Sequence, residues 1–370
     1  MYEHNPVRLT DFARAKGLSE RTATEMAKDG RLAGAFRKEG SSVWYVHPEA
    51  FVVEPPPSGQ RARAEVMGHT LQHPKIPLAR FGMRGRPVII TTYNYAGGSG
   101  KTTLARDMSV LLAAAGYRVL LLDTDPQASL TRWISREVEP PGVDLEPTIY
   151  ATYASNDLQP SIPEPVVLDE NLHFVPSTTE LNELEMLLTN DQHRLANLYD
   201  ALVATGGRYD VVIADSPPSL GQITVGNVVA SDYAVIPVEG ASKGLEGITK
   251  LVKHLQELQI KKNRILRKPQ GSFVKIAALV PTRVVSRLSL TEKIMKALET
   301  MSGDLEAPLS PVLTARDSAY NLATAKRTPI PLLPRRNGSV REAADEVRDV
   351  VAFITGNVIE SEKGVLDASQ

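Results

Sequence analysis

The chain contains no cysteine. That excludes disulfide staples, thiolate metal sites and cysteine nucleophiles, and it suits a cytoplasmic protein. No apolar run reaches the roughly 20 residues that a membrane-spanning helix needs, so no membrane association is expected. Charge of one sign is also lacking: 42 Lys and Arg stand against 43 Asp and Glu, for a net charge of -1. Any nucleic-acid binding must therefore come from local patches. The 7 His and the carboxylates show no spacing typical of a protein-bound metal site. There are no internal repeats. What is present is ordinary globular composition, 42% hydrophobic and 23% charged, in 370 residues, enough for a large core and more than one domain.

The most informative stretch is Ala96-Gly97-Gly98-Ser99-Gly100-Lys101-Thr102-Thr103. It follows the apolar run Pro87–Thr92 and precedes the helical pattern from Leu104 to Leu112. Strand, glycine turn and helix in that order aim backbone N–H groups and a helix N-terminus at one point, which suits phosphates. Lys101 supplies positive charge for the outer phosphates, and the Thr102 hydroxyl is suited to Mg²⁺. Two later apolar strands end in acids: Arg118–Asp123, followed by Thr124-Asp125-Pro126-Gln127, and Tyr209–Asp215, followed by Ser216-Pro217-Pro218-Ser219-Leu220. Carboxylates closing parallel strands point into the crevice where α/β sheets bind ligands.

The glycine spacing at 97, 98 and 100, the D-x-D-P-Q run at 123–127 and the D-x-P-P-S-L run at 215–220 resemble the deviant phosphate loop, switch I and Walker B segments of the ParA/MinD partition and positioning ATPases. The resemblance covers roughly residues 86–356. It implies ATP or ADP bound with Mg²⁺ by Gly97, Gly98, Ser99, Gly100, Lys101, Thr102 and Thr103, with Thr102, Asp123 and Asp215 toward the metal. It also implies that Lys101 and Asp125 serve catalysis, Asp125 by positioning the attacking water. One departure stands out. The family's signature lysine, which reaches across a dimer to the partner's phosphates, is Ala96 here. Lys243 is the substitute expected, since the segment after its strand borders the same crevice, and a carboxysome-positioning subgroup is similar in using a later lysine.

Strand signals near 88–92, 118–123, 172–176, 211–215, 233–238 and 274–280 alternate with helical segments. This pattern predicts a doubly wound α/β fold, a mostly parallel sheet covered on both faces, over 87–356. The Pro-rich stretch 137–168 reads as a surface insertion around a short helix near 148–153, and 357–370 as a flexible tail.

Residues 1–53 read as a separate small module. Thr10 is placed to cap a helix over Asp11–Lys16 and Ser19 a second helix through Met26 to about Asp29, while Ala35–Val46 reads as a hairpin turning at Glu39–Ser41. The order resembles the winged helix-turn-helix of excisionase and MerR-like proteins. That places Arg21, Thr24 and Lys28 toward a major groove and Arg37 and Lys38 toward phosphates. Residues 54–86 are Pro-rich and basic, the composition of a linker, with a short helix allowed over 61–69.

The resemblance implies a homodimer that binds nonspecific DNA when ATP-bound and hydrolyses ATP slowly. Its partner would be a centromere-binding, ParB-like adaptor, and the ATPase itself would be cytoplasmic and associated with the nucleoid. Arg283, Arg287, Arg316, Arg327, Arg335 and Arg336, together with Lys326, are the late-loop cations expected at that DNA surface. The first module would add operator binding. A positioning ATPase with a protein-cargo adaptor and a nucleotide-sensing transcription factor stay open beside this reading.

Overall fold

In the computed structural model, residues 7–15, 19, 21, 23–24, 36–37, 44–46, 86–135, 148–240, 242–266, 274–285 and 289–367 are described. The chain divides into two units, Met1–Ala64 and Glu65–Gln370.

In the first unit, β1 (Val7–Arg8), β2 (Phe36–Arg37) and β3 (Trp44–Val46) form an antiparallel sheet in the order β1-β3-β2. The expected hairpin is β2 and β3, with Phe36 opposite Tyr45. Its turn lies outside the described residues, as do Lys28 and Lys38. The strand β1 carries no signal in the sequence pattern. The first helix, Leu9–Ala15, includes Thr10 rather than starting after it, because Leu9, Phe12 and Ala13 form its buried face at i, i+3, i+4 spacing. Ala23 N donates to Ser19 O at 3.0 Å, a helical bond where the second helix is expected.

The second unit is built on a seven-stranded sheet in the order β10-β9-β4-β8-β5-β7-β6. Its strands are β4 (Val88–Thr92), β5 (Val119–Asp123), β6 (Val166–Asp169), β7 (Leu172–Val175), β8 (Val211–Asp215), β9 (Tyr233–Glu239) and β10 (Lys275–Thr282). All pair in parallel except β6, which joins β7 antiparallel at one edge. The fold is thus the expected doubly wound, mostly parallel α/β sheet.

Strands buried on both faces need apolar side chains at every position, and β4, β5 and β8 are buried throughout. Alternation then splits them between two cores. Val88, Ile90, Leu121 and Ile213 pack with Leu104 and Met108 of the helix Lys101–Ala114 and with Val347, Val350 and Val351 of the helix Gly338–Asp367. Ile89, Leu120, Leu122 and Val212 pack with the helices Asn197–Ala204, Gln222–Ala230 and Ser242–Ile265.

Two expectations are corrected. The stretch ending at 168 contains the helix Ile149–Ala154 and then enters the edge strand β6, so its last residues belong to the sheet. The tail is helical to Asp367: Val358 and Ile359 are buried in the first core and Asn357 Nδ2 donates to Ala277 O at 3.0 Å. Of the linker, only its last residue is described. Arg86 forms a two-pronged ion pair with Asp232 at 2.6 and 2.8 Å, and Asp232 also accepts from Ile89 N.

Candidate functional site

Parallel pairing puts three strand ends side by side. Thr92 of β4 and Asp123 of β5 both lie opposite Asp215 of β8. The turn leaving β4 passes over them. Its entry is tied by Asn94, whose side chain accepts from Ala96 N at 2.8 Å and donates to Pro237 O at 2.7 Å. Gly98 and Gly100 have φ of 76° and 96°, left-handed values at which a Cβ is strained. At its far side, Thr282 Oγ1 donates to Ser99 O at 2.9 Å. The helix then starts at Lys101, with Leu104 N bonded to Gly100 O. Gly97 and Gly98 carry no Cβ, and the first N–H groups of the helix have no intrahelical partner, an arrangement that suits an anion.

Lys101 is 6% exposed and donates to Ala96 O at 3.0 Å. Burial lowers its pKa, while Asp215 and Asp125 pull it back up. Asp215 is fully buried; burial raises its pKa, the neighbouring Asp123 raises it further, and the Thr102 hydrogen bond opposes both. Thr92 Oγ1 donates to Asp215 Oδ1 at 3.3 Å, whereas Asp215 Oδ2 is buried with no hydrogen-bond partner among the described residues. A buried carboxylate oxygen without a donor is costly, and a cation or its bound water would satisfy it.

Asp123 is held differently. Its Oδ2 accepts from Thr131 N at 2.8 Å and Thr131 Oγ1 at 2.7 Å, and its Oδ1 accepts from Asp125 N at 3.1 Å. Burial still raises its pKa. Both of its oxygens are thus hydrogen-bonded, and through Asp125 N it is tied to the turn that carries Asp125. Asp125 accepts from Gln127 N at 2.9 Å through Oδ1; its pKa is raised by burial and lowered by that amide and by Lys101 and Arg132.

Beneath the acids runs a buried polar chain that sequence reasoning missed. Tyr153 donates to Asn227, Asn227 to Thr124 Oγ1 at 2.6 Å, and Thr124 Oγ1 to Asp215 O at 2.6 Å. It ties the ends of β5 and β8 together. No local signal marks it, because its members come from four separated segments.

Beside the loop lies a cavity of about 240 Å³ whose lining includes Gly98, Gly100, Thr103, Asp107, Thr282 and Tyr320. Arg283 and Arg316 also line it. Arg283 has a left-handed φ of 53°, and its Nη1 lies 3.8 Å from where a Cβ on Gly98 would stand. Arg316 is paired with Glu342 and Glu346 at 2.5 and 2.9 Å, so its charge is already compensated.

Of the other expected cations, Arg335 pairs with Asp345 at 3.3 Å, Arg327 donates to Ser135 O at 2.7 Å, and Lys326 and Arg336 are exposed. Arg287 lies outside the described residues. Lys243 is the second residue of the helix after β9. In the first unit Arg21 is exposed, Thr24 is half-buried and Arg37 sits in β2.

A family model described as an AAA domain matches residues 88–268. The Thermus thermophilus protein named "Probable plasmid-partitioning protein ParA" is 32% identical over 284 residues, covering 75% of this chain and 82% of that protein. The chain belongs to the ParA family. Among solved structures, an ATP complex of Cyanothece McdA has the same fold as this ParA-family chain. The TM-score is 0.61 at 20% identity, over 74% of this chain and 96% of that one. Cobyrinic acid a,c-diamide synthase from Mycobacterium smegmatis, with ATP analogue and magnesium bound, matches at 27% identity and TM-score 0.53, over 65% and 91%.

Proposed function

We propose that this ParA-family chain is an ATPase that binds ATP with Mg²⁺ at the loop 97–103 and uses slow hydrolysis to time a DNA-partition cycle. One observation carries the reading. A glycine turn, a buried lysine and three strand-end or turn carboxylates converge on one crevice, with Asp215 Oδ2 left unpartnered among the described residues. Oxygen donors such as the Thr102 hydroxyl and Asp215 suit Mg²⁺, which would neutralise phosphate charge.

The chain's own parts then act as follows. The amides of Gly97–Thr103 and the Lys101 ammonium, exchanging Ala96 O for phosphate oxygen, hold the triphosphate. Each contact of the latter kind is worth about 1.5–3 kcal/mol. Asp125 keeps one oxygen free to orient a water and accept its proton, and Asp123, through Thr131, fixes where Asp125 stands. The cavity beside Thr103 takes the nucleoside. ATP-dependent dimerisation, nonspecific DNA binding through Arg327, Arg335, Arg336 and Arg287, a ParB-like adaptor and a place on the nucleoid complete the reading. The module at 1–53 is assigned operator binding. Among the described residues no helix is long and apolar enough to cross a membrane.

Ala96 favours a second reading, a positioning ATPase for a protein cargo in which Lys243 supplies the missing cation. The test of ATPase function is phosphate release. Wild type should turn over ATP slowly with Mg²⁺, and Asp125→Ala should bind ATP without releasing phosphate. Binding without turnover in the wild type would leave a nucleotide-sensing regulator instead.

A further inference from the structure

The cavity beside the phosphate loop has a polar floor that the hydrolytic reading does not use. Asp107 follows Thr103 by one helical turn, so both face the cavity from the same side of the helix Lys101–Ala114. Asp107 is 1% exposed. Its Oδ1 accepts from Arg106 Nε at 2.9 Å, and the carboxylate also takes the Ile330 amide, while Arg106 itself lies over Trp133 at 4.1 Å from the ring centroid. Oδ2, by contrast, has no hydrogen-bond partner among the described residues. A buried carboxylate oxygen is an acceptor that demands a donor. The remaining wall is partly apolar, from Leu104, Leu313 and Val347, and Tyr320 stands beside it, which suits a flat heterocycle.

We propose that Asp107 Oδ2 reads the exocyclic amino group of the nucleotide base and so sets the base specificity of this site. The inference rests on the nucleotide-binding reading above. A 6-amino purine donates an N–H to the free oxygen. A 6-oxo purine presents a carbonyl oxygen there and leaves two acceptors facing each other. Sites built around an unpaired buried polar group discriminate strongly, because the wrong ligand leaves that group unsatisfied. Losing one hydrogen bond to a charged group corresponds to about tenfold or more in affinity. In Asp107→Asn, the amide oxygen stays with Arg106 Nε, and the NH₂ takes the place of Oδ2. The acceptor becomes a donor, and the preference should reverse.

The experiment is calorimetric titration of the full chain with ADP and with IDP, in Mg²⁺, for wild type and Asp107→Asn. Diphosphates avoid turnover, and the ratio of the two affinities cancels any general weakening of the variant. The expected result is at least about tenfold preference for ADP in wild type and a ratio at or below one in Asp107→Asn. If the Asn variant does not fold, Asp107→Ser serves, with a ratio collapsing toward one. Equal affinities in wild type, or an ADP preference unchanged by the substitution, would overturn the inference while leaving nucleotide binding intact. Failure of both nucleotides to bind wild type would overturn the nucleotide reading itself.

Discussion

Thr131 offers a sharp test of how the acidic site is braced. Its amide and hydroxyl both donate to Asp123 Oδ2, and the hydroxyl in turn accepts from Ser177 N at 2.9 Å. Thr131 is 7% exposed and Asp123 and Ser177 are fully buried, so water cannot replace what is removed. Thr131→Val keeps the shape and deletes only the hydroxyl. The lost bond to an ionised carboxylate costs about 1.5–3 kcal/mol, and the orphaned Ser177 amide about 1–3 kcal/mol more. Together these predict a loss of about 2.5–6 kcal/mol at a pH of about 8.

The sign with pH follows from Asp123. Burial raises its pKa, and the Thr131 hydroxyl is one of the groups holding it down. The charged part of the penalty therefore exists only while Asp123 is ionised and fades toward a pH of about 5, leaving about 1–3 kcal/mol from the amide. Urea unfolding followed by circular dichroism at both pH values measures this, with Thr131→Ser as the conservative control. A loss below about 1 kcal/mol at the higher pH, or one independent of pH, would refute the bracing argument.

Three further outcomes are expected. Lys101→Ala should weaken ATP binding at least about tenfold by calorimetry while the protein stays folded, since the lysine's present partner is a single carbonyl. Gly100→Ala should cost about 1–2 kcal/mol in urea unfolding, because φ of 96° strains any Cβ although Thr282 Cγ2 at 3.6 Å leaves room for it. Asp215→Asn should raise the melting temperature of the ligand-free protein at a pH of about 8 and change it little near about 4. The folded-state pKa of Asp215 is raised by burial and by Asp123, so the wild-type fold holds its proton below that pKa and loses stability as pH rises through it.

The sheet was largely legible because strands buried on both faces must be continuous apolar runs. β4, β5 and β8 end where their acids and threonines do. The loop was legible because phosphate binding needs small residues at fixed offsets next to a lysine. Contacts between distant segments were not. Thr131 and Ser177 carry no local mark of their bonds to the switch, and nothing near Asn227 announces Thr124 or Tyr153. Arg283 and Arg316 read as free late-loop cations, yet their positions depend on where β10 ends and on two glutamates of the last helix. The edge strand β6 was hidden in a proline-rich stretch, and its exposed Val166 and Val167 lack the continuous burial that marks the central strands.

Central to the proposed cycle is that ATP occupancy of the loop switches a DNA-binding state. Its most direct test is the affinity of the full-length Asp125→Ala protein for nonspecific duplex DNA, with ATP and with ADP, over a range of salt. Phosphate-led binding loses affinity steeply with salt, with a slope of roughly -0.9 per phosphate contacted. The cycle predicts tight, salt-sensitive binding with ATP that is lost with ADP. Equal binding in both states, or none in either, would contradict it.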